Sequence, residues 1–260
     1  MALQEVVVDG VATITMDNPP VNALGAADTY ALAGLLDGYR TREDVRVVVL
    51  TARGRGFCAG VDIKEIQAMD SDGGHRGLVE ANRSCEEAFR AVYECAVPVV
   101  AAVNDFCLGT GIGLVGNADV IVAAESVGFG LPEVDNGALG AATHLMRLVP
   151  AHRARWMLYS CELASAEELH AYGSVLRVVS ADELADTATE VAGVLAAKNS
   201  DVLRAAKASM NGIDPVDVRR SYRYEQGFTF ELNLLGRGDE ARSAFLRGER
   251  SPTRLVPEGP

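Results

Sequence analysis

Short apolar runs separated by turn signals indicate strands that alternate with helices in the first half of the chain. Residues 6–8 and 11–16 flank Asp9-Gly10, a pattern typical of a β-hairpin. Apolar positions recur at helical spacing over residues 26–39. The largely apolar run 45–51 predicts a strand of a sheet that is covered on both faces.

The alternation continues towards the middle of the chain. A helix is predicted to begin at Ile63, and a polar, glycine-rich stretch at 70–77 is expected to form a mobile loop. Residues 79–95 return to helical spacing, and apolar strands are predicted at 97–104 and 120–124. The order β-β-α-β-α-β-α-β places a mainly parallel sheet between helices, which defines an α/β fold class.

Helical patterns dominate the second half, interrupted by a short strand at 175–179. The predicted helices cover residues 145–160, 165–172, 182–197, 201–211 and 216–234. Residues 250–260 contain three prolines and are expected to form a disordered tail.

Composition narrows the class of protein. Hydrophobic residues make up 48% of the 260 residues, but no apolar run is long enough to cross a bilayer, and the N-terminus does not resemble a signal peptide. The five cysteines have no metal-ligand spacing, so we expect reduced thiols, a cytoplasmic protein and no metal. The net charge of −12, from 36 acidic and 24 basic residues, argues against nucleic acid as a partner.

A glycine-rich segment carries the first candidate chemistry. A short apolar helix is predicted to begin at Gly109, Gly111 and Gly113. The N–H groups at a helix start, here including that of Thr110, have no acceptor within the helix and suit the binding of an oxyanion. A dinucleotide fingerprint would need glycine where Leu114 stands, so NAD is not indicated. The alternative is that these glycines only permit close packing of helix against sheet.

A second loop of the same kind covers residues 56–62, again between a strand and a helix N-terminus. N–H groups that converge from two such loops would form an oxyanion hole, in which one donor contributes ~100-fold to ~1,000-fold in rate. Asp62 is interpreted as the helix N-cap rather than a catalyst, because Glu65 completes a capping-box pattern.

Glu133 is the candidate acid–base group, since Pro132 restricts the backbone that leads to it and Gly137 permits a turn after it. The alternative is a solvated loop carboxylate, the usual state of a glutamate. Asp135 is a second-rank candidate. His144 is interpreted as a packing residue in preference to a proton carrier.

Four segments together carry a resemblance to a known family. They are residues 18–24, 57–65, 101–111 and 129–133. In this order they identify the chain as similar to the crotonase superfamily, the enoyl-CoA hydratase/isomerase family. The resemblance implies a crotonase-type (ClpP-like) spiral of β-β-α units over residues 1–198, which holds the CoA-thioester site. It also implies a helical oligomerisation region over 199–260, giving a homotrimer or a dimer of trimers.

The resemblance further implies an acyl-CoA thioester substrate, with coenzyme A entering as part of the substrate and no permanently bound cofactor. The thioester oxygen would be held by the N–H groups of Val61 and Thr110, which stabilise a thioester enolate, and Glu133 would be the catalytic carboxylate. Cofactor-binding contacts are predicted at Ala59, Lys64, Gly109 and Gly111.

One departure from the family pattern decides the expected reaction. Hydratases of the family use two glutamates, and the first of these falls on Gly113. Because the addition of water across a double bond uses both carboxylates, efficient hydration is not expected.

Residues 81–83 with 88–95, 137–144 and 224–233 resemble a ring-opening branch of the family that degrades steroid rings C and D. The hypothesis is that Glu133 activates water to attack a ring ketone β to the thioester carbonyl. The carbon–carbon bond then breaks in a retro-Claisen sense to give the thioester enolate. The alternatives are an enoyl-CoA hydratase, a double-bond isomerase that uses Glu133 alone, and a non-catalytic CoA-binding subunit.

Overall fold

The computed structural model describes residues 2–70 and 74–249. The strands are β1 (Ala2–Val8), β2 (Val11–Asp17), β3 (Val47–Ala52), β4 (Val99–Val103), β5 (Phe106–Leu108), β6 (Val120–Ala124), β7 (Gly128–Gly130), β8 (Ala164–Ser165) and β9 (Arg177–Val179). Six of them form one sheet in the order β1-β2-β3-β4-β6-β9, and β5-β7-β8 form a second sheet.

The large sheet follows the predicted arrangement. β1 pairs antiparallel with β2, and every later pairing in this sheet is parallel. The hairpin turn at Asp9 and Gly10 has positive φ at both residues, as the Asp-Gly signal requires. All residues of β4 are buried, and the helix over Leu184–Ala196 packs against β3, β4 and β6.

Eleven α-helices accompany the two sheets in the described residues. They are α1 (Ala26–Gly38), α2 (Ile63–Met69), α3 (Arg76–Tyr93), α4 (Thr110–Val115), α5 (Ala142–Leu145), α6 (Ala151–Ser160), α7 (Ala166–Ala171), α8 (Leu184–Ala196), α9 (Ser200–Ile213), α10 (Val218–Leu234) and α11 (Arg237–Leu246). None of the described helices is both long enough and apolar enough to span a bilayer.

The predicted helix start at Ile63 is confirmed, but the capping box is only half formed. Asp62 Oδ1 accepts a hydrogen bond from the Lys64 N–H at 2.9 Å, so Asp62 is the N-cap. Glu65 Oε1 instead accepts from the Ala26 N–H at 3.4 Å. The Glu65 carboxylate therefore joins the start of α1 to α2.

Two helix predictions differ from the structure. The single helix predicted over 145–160 is wrong: α5 ends at Leu145, and α6 begins after Pro150, which occupies its N-cap. Proline lacks an N–H and cannot continue a preceding helix, so the chain changes direction there. The second difference is α11, which was not predicted. The predicted loop at 70–77 lies partly, and the predicted tail at 250–260 entirely, outside the described residues.

The C-terminal helices expose large apolar side chains. Val202 and Ile213 on α9 are 68% and 71% exposed, and Leu234 and Leu235 at the end of α10 are 75% and 67% exposed. Several large exposed apolar side chains on neighbouring segments of the chain favour a protein–protein contact there.

Candidate active site

The two donor loops predicted from the sequence lie against each other. A parallel bridge pairs Cys58 with Cys107, and the Leu108 N–H donates to the Cys58 carbonyl at 2.8 Å. A Cβ atom placed on Gly60 would lie 4.0 Å from the Thr110 nitrogen. The loops that precede α2 and α4 therefore meet side by side.

In each loop, one backbone N–H group points away from the hydrogen bonds that hold the loop in place. The Leu24 N–H donates to the Gly60 carbonyl and the Asp62 N–H donates to the Leu24 carbonyl, both at 2.9 Å. In such a parallel bridge the intervening Val61 N–H faces the other side. Thr110 is the first residue of α4, so its N–H has no acceptor within the helix. Val61, Thr110 and Glu133 line one cavity.

Glu133 reaches the donor loops because residue 109 is glycine. The Gly109 N–H donates to the Gly130 carbonyl at 3.2 Å, which ties the start of α4 to the end of β7. A Cβ atom on Gly109 would lie 2.8 Å from Glu133 Oε1 and 3.2 Å from Gly60 Cα. Gly109 also has φ of +55°, which other residues rarely adopt. Both its conformation and its close neighbours thus require glycine.

The position of Gly113 is filled by an aromatic ring. A Cβ atom on Gly113 would lie 2.0 Å from Phe89 Cζ, so the ring occupies the space that a side chain at 113 would need. The ring is held from two sides, with its centroid 4.8 Å from that of His144 and 5.0 Å from that of Tyr222. No second carboxylate can stand at this position without displacing Phe89.

His144 lies within this aromatic cluster. It is fully buried, and its Nδ1 lies 3.2 Å from Asn117 Oδ1. Burial, together with the charge of Arg147, lowers the pKa of His144 to about 3, so the imidazole is neutral at physiological pH. Neither His144 nor the exposed Asp135 lines the cavity that contains Glu133.

The four predicted cofactor-binding residues are placed differently from one another. Ala59 and Gly109 line the cavity, whereas Lys64 is exposed on α2 and Gly111 is buried. A Cβ atom on Gly111 would lie 3.1 Å from Cys107 Sγ, so close packing explains the glycine there. Contacts of all four residues with coenzyme A stay predictions. Within residues 2–70 and 74–249, no cluster of His, Cys, Asp and Glu side chains is arranged to hold a metal ion.

Much of the cavity wall comes from residues for which the sequence predicts no role. The wall includes side chains from α3, α10 and α11, among them Asn82, Cys85, Tyr222, Thr229 and Arg242. Residues from both sides of the predicted boundary between 198 and 199 therefore line the cavity. The sequence gives no signal for Arg242, because helices carry many arginines and most are exposed.

The fold and the cavity define the class of protein: an α/β enzyme whose candidate site sets two converging donor loops beside one carboxylate. A family model described as enoyl-CoA hydratase/isomerase matches residues 7–231. The chain belongs to this family, the crotonase superfamily, and is an acyl-CoA enzyme.

Two relatives match almost the whole chain. One, from Rhodococcus jostii (strain RHA1), is named (7aS)-7a-methyl-1,5-dioxo-2,3,5,6,7,7a-hexahydro-1H-indene-carboxyl-CoA hydrolase. It is 58% identical over 239 residues, which cover 92% of this chain and 91% of the relative. A protein of the same name from Mycobacterium tuberculosis (strain ATCC 25618 / H37Rv) is 55% identical over 238 residues, 92% of this chain and 95% of the relative. The names of these two relatives confirm the narrower resemblance, to a ring-opening hydrolase branch of the family.

Solved structures confirm the expected crotonase fold. An enoyl-CoA hydratase/isomerase from Pseudoalteromonas atlantica T6c superposes with a TM-score of 0.83 at 25% identity, covering 97% of this chain and 99% of the other. An enoyl-CoA hydratase from Mycobacterium avium subsp. paratuberculosis K-10 gives a TM-score of 0.82 at 25% identity, covering 93% and 98%.

Proposed function

We propose that this protein opens a carbon–carbon bond hydrolytically in the ring of a cyclic β-keto acyl-CoA thioester. The single observation that carries the proposal is the Phe89 ring in the space beside Gly113, which leaves Glu133 as the one carboxylate in the described cavity wall. Two relatives that are more than half identical bear the name of a hydrolase of a fused-ring diketone CoA thioester.

In the proposed complex the thioester oxygen accepts hydrogen bonds from the N–H groups of Val61 and Thr110. Both amides belong to backbone that is tied by bridges and by a helix start, so they need no reorganisation when charge develops. Ala59 and Gly109 border the same space. Coenzyme A is thus part of the substrate, and the thioester carbonyl is its point of attachment to the two amides.

Glu133 begins the proposed reaction by taking a proton from water, whose oxygen bonds to the carbon of a ring ketone. The tetrahedral intermediate collapses to a carboxylic acid, and the bond from that carbon to its ring neighbour, the α carbon of the thioester, breaks. The electron pair passes into the thioester, whose enolate oxygen is held by Val61 and Thr110. Glu133 then returns its proton to carbon. One water is consumed, and the thioester bond stays intact.

One carboxylate is sufficient for this sequence because it acts first as a base and then as an acid. Syn hydration of an enoyl thioester instead engages two carboxylates with one water, and the space for the second is occupied here. A double-bond isomerase is the second candidate, since moving a proton along an acyl chain needs a single base.

The reaction products test this proposal directly. The wild-type protein is incubated with a cyclic β-keto CoA thioester, with crotonyl-CoA and with a 3-enoyl-CoA, and the products are analysed by NMR and mass spectrometry. We expect a gain of one water with a new carboxylate from the cyclic substrate alone, and no free thiol in a colorimetric assay. Release of free CoA would indicate thioester hydrolysis, and conversion of the 3-enoyl ester alone would indicate an isomerase.

We also propose that residues 199–260 form an oligomerisation region and that the protein is a homotrimer or a dimer of trimers. The exposed apolar side chains on α9 and α10 support this assignment. The five cysteines are unpaired thiols, which suits the proposed cytoplasmic location.

Light scattering coupled to size-exclusion chromatography tests the assembly. We expect a mass three or six times that of the 27.5 kDa chain, and a lower mass when Val202 and Ile213 are both replaced by glutamate. Val194→Glu on α8 is the matched control, because Val194 is also exposed, at 58%, but lies outside the proposed region. A wild-type monomer would contradict the assignment.

A further inference from the structure

The cavity contains a buried arginine that has no role in the reaction steps described above. Arg242 on α11 lines the same cavity as Glu133, and its side chain is only 5% exposed. These two are the charged side chains of the described cavity wall. One Nη donates to Asp239, whereas the Arg242 Nε is buried and has no hydrogen-bond partner among the described residues.

Close docking of α11 brings this arginine to the site. Gly137, in the turn that follows Glu133, faces the first turn of α11: a Cβ atom there would lie 2.8 Å from the Arg237 carbonyl oxygen and 3.0 Å from Gly238 Cα. Gly137 also has φ of +65°. Because Gly137 has no side chain, the carboxylate loop and α11 approach within backbone contact.

The pairing with Asp239 does not account for the burial of Arg242. Asp239 is 57% exposed, and an ion pair three residues apart on a helix surface contributes little to stability. Burying a guanidinium with an unused donor is costly unless a partner arrives. Asn136, on the turn after Glu133, also lines the cavity with a buried Oδ1 that has no partner among the described residues.

We propose that Arg242 binds an oxygen of the acyl group other than the thioester oxygen. This assignment rests on the proposed function, in which the oxygen belongs to the ring ketone that water attacks. Arg242 polarises the ketone, stabilises the oxyanion of the tetrahedral intermediate and then holds the new carboxylate. The substrate class is therefore acyl-CoA thioesters with a second carbonyl or carboxylate oxygen, and plain fatty acyl esters lack the group that Arg242 recognises.

Binding tests this inference without any need for turnover. Calorimetry compares succinyl-, glutaryl- and adipyl-CoA with butyryl-, pentanoyl- and hexanoyl-CoA, so that each chain length is measured with and without a terminal carboxylate. We expect wild type to bind at least one carboxylate-bearing ester ~10-fold or more tighter than its partner, as a charge-assisted hydrogen bond allows. Arg242→Gln removes this preference, and Arg242→Lys retains part of it.

Arg247→Gln is the matched control, because Arg247 lies next to α11 but is exposed and paired with Glu249. It should leave the preference unchanged. Equal affinity of wild type for every pair, or an equal loss of affinity for both members of each pair in Arg242→Gln, would overturn the inference. Thermal unfolding of the variants separates a folding defect from a binding defect.

Turnover separates this inference from the proposed function. If wild type opens the cyclic substrate, Arg242→Gln should lower kcat by ~100-fold to ~1,000-fold, the effect of removing one oxyanion donor. Normal ring opening by Arg242→Gln would overturn the role of Arg242 and leave the proposed function intact. A carboxylate preference that depends on Arg242, in a protein that opens no ring, would overturn the proposed function alone.

Discussion

Replacement of Glu133 by glutamine is expected to lower the rate of ring opening by ~100-fold to ~10,000-fold, the range for loss of a general acid–base group. Glutamine keeps the size of the side chain, so it still fits over Gly109, but it cannot take a proton from water. Because the amides of Val61 and Thr110 are unchanged, the affinity for a CoA thioester should stay within ~3-fold of wild type. Steady-state kinetics and calorimetry measure the two quantities separately.

Asp135→Asn is the matched control for this experiment. Asp135 belongs to the same turn but is exposed and does not line the cavity, so its removal should change the rate little. A Glu133→Gln variant with normal turnover would refute the assignment of the base. A large loss in Asp135→Asn would show that the turn as a whole, rather than one carboxylate, supports the rate.

The second large effect concerns Gly113. Even alanine at this position would place its Cβ 2.0 Å from Phe89 Cζ, and the ring is confined by His144 and Tyr222. Overpacking of this kind costs ~1–3 kcal/mol. We therefore expect Gly113→Ala to lower the free energy of unfolding by that amount in urea denaturation. Gly193→Ala on α8 is the control, because a Cβ there meets no atom of the described residues within 4 Å.

Shortening the aromatic side chain should relieve the collision. In the double variant Phe89→Ala/Gly113→Ala the two destabilisations should not add, since the cavity left by Phe89 receives the new methyl group. Phe89→Ala/Gly113→Glu would then supply a second carboxylate at position 113, and we expect measurable hydration of crotonyl-CoA, which wild type is expected not to perform. Additive destabilisation would mean that Phe89 does not restrict position 113.

The local part of the fold could be read from the sequence. The Asp9-Gly10 hairpin and the N-cap at Asp62 form as predicted, because turn and capping preferences act within a few residues. The small sheet could not be read, because β7 is three residues long and shows no alternation. Pro150 marks the break between α5 and α6, but apolar residues recur at helical spacing on both sides of it, so the pattern predicts one helix.

The sequence by itself determined the family, the two glycine-bearing donor loops, the carboxylate at Glu133 and the missing side chain at Gly113. These are properties of single positions or of neighbours along the chain. Only the tertiary structure decided that Phe89 fills the space beside Gly113 and that Arg242 reaches the same cavity. The physical reason is that both contacts join helices far apart in sequence, and what occupies a space depends on how those helices pack.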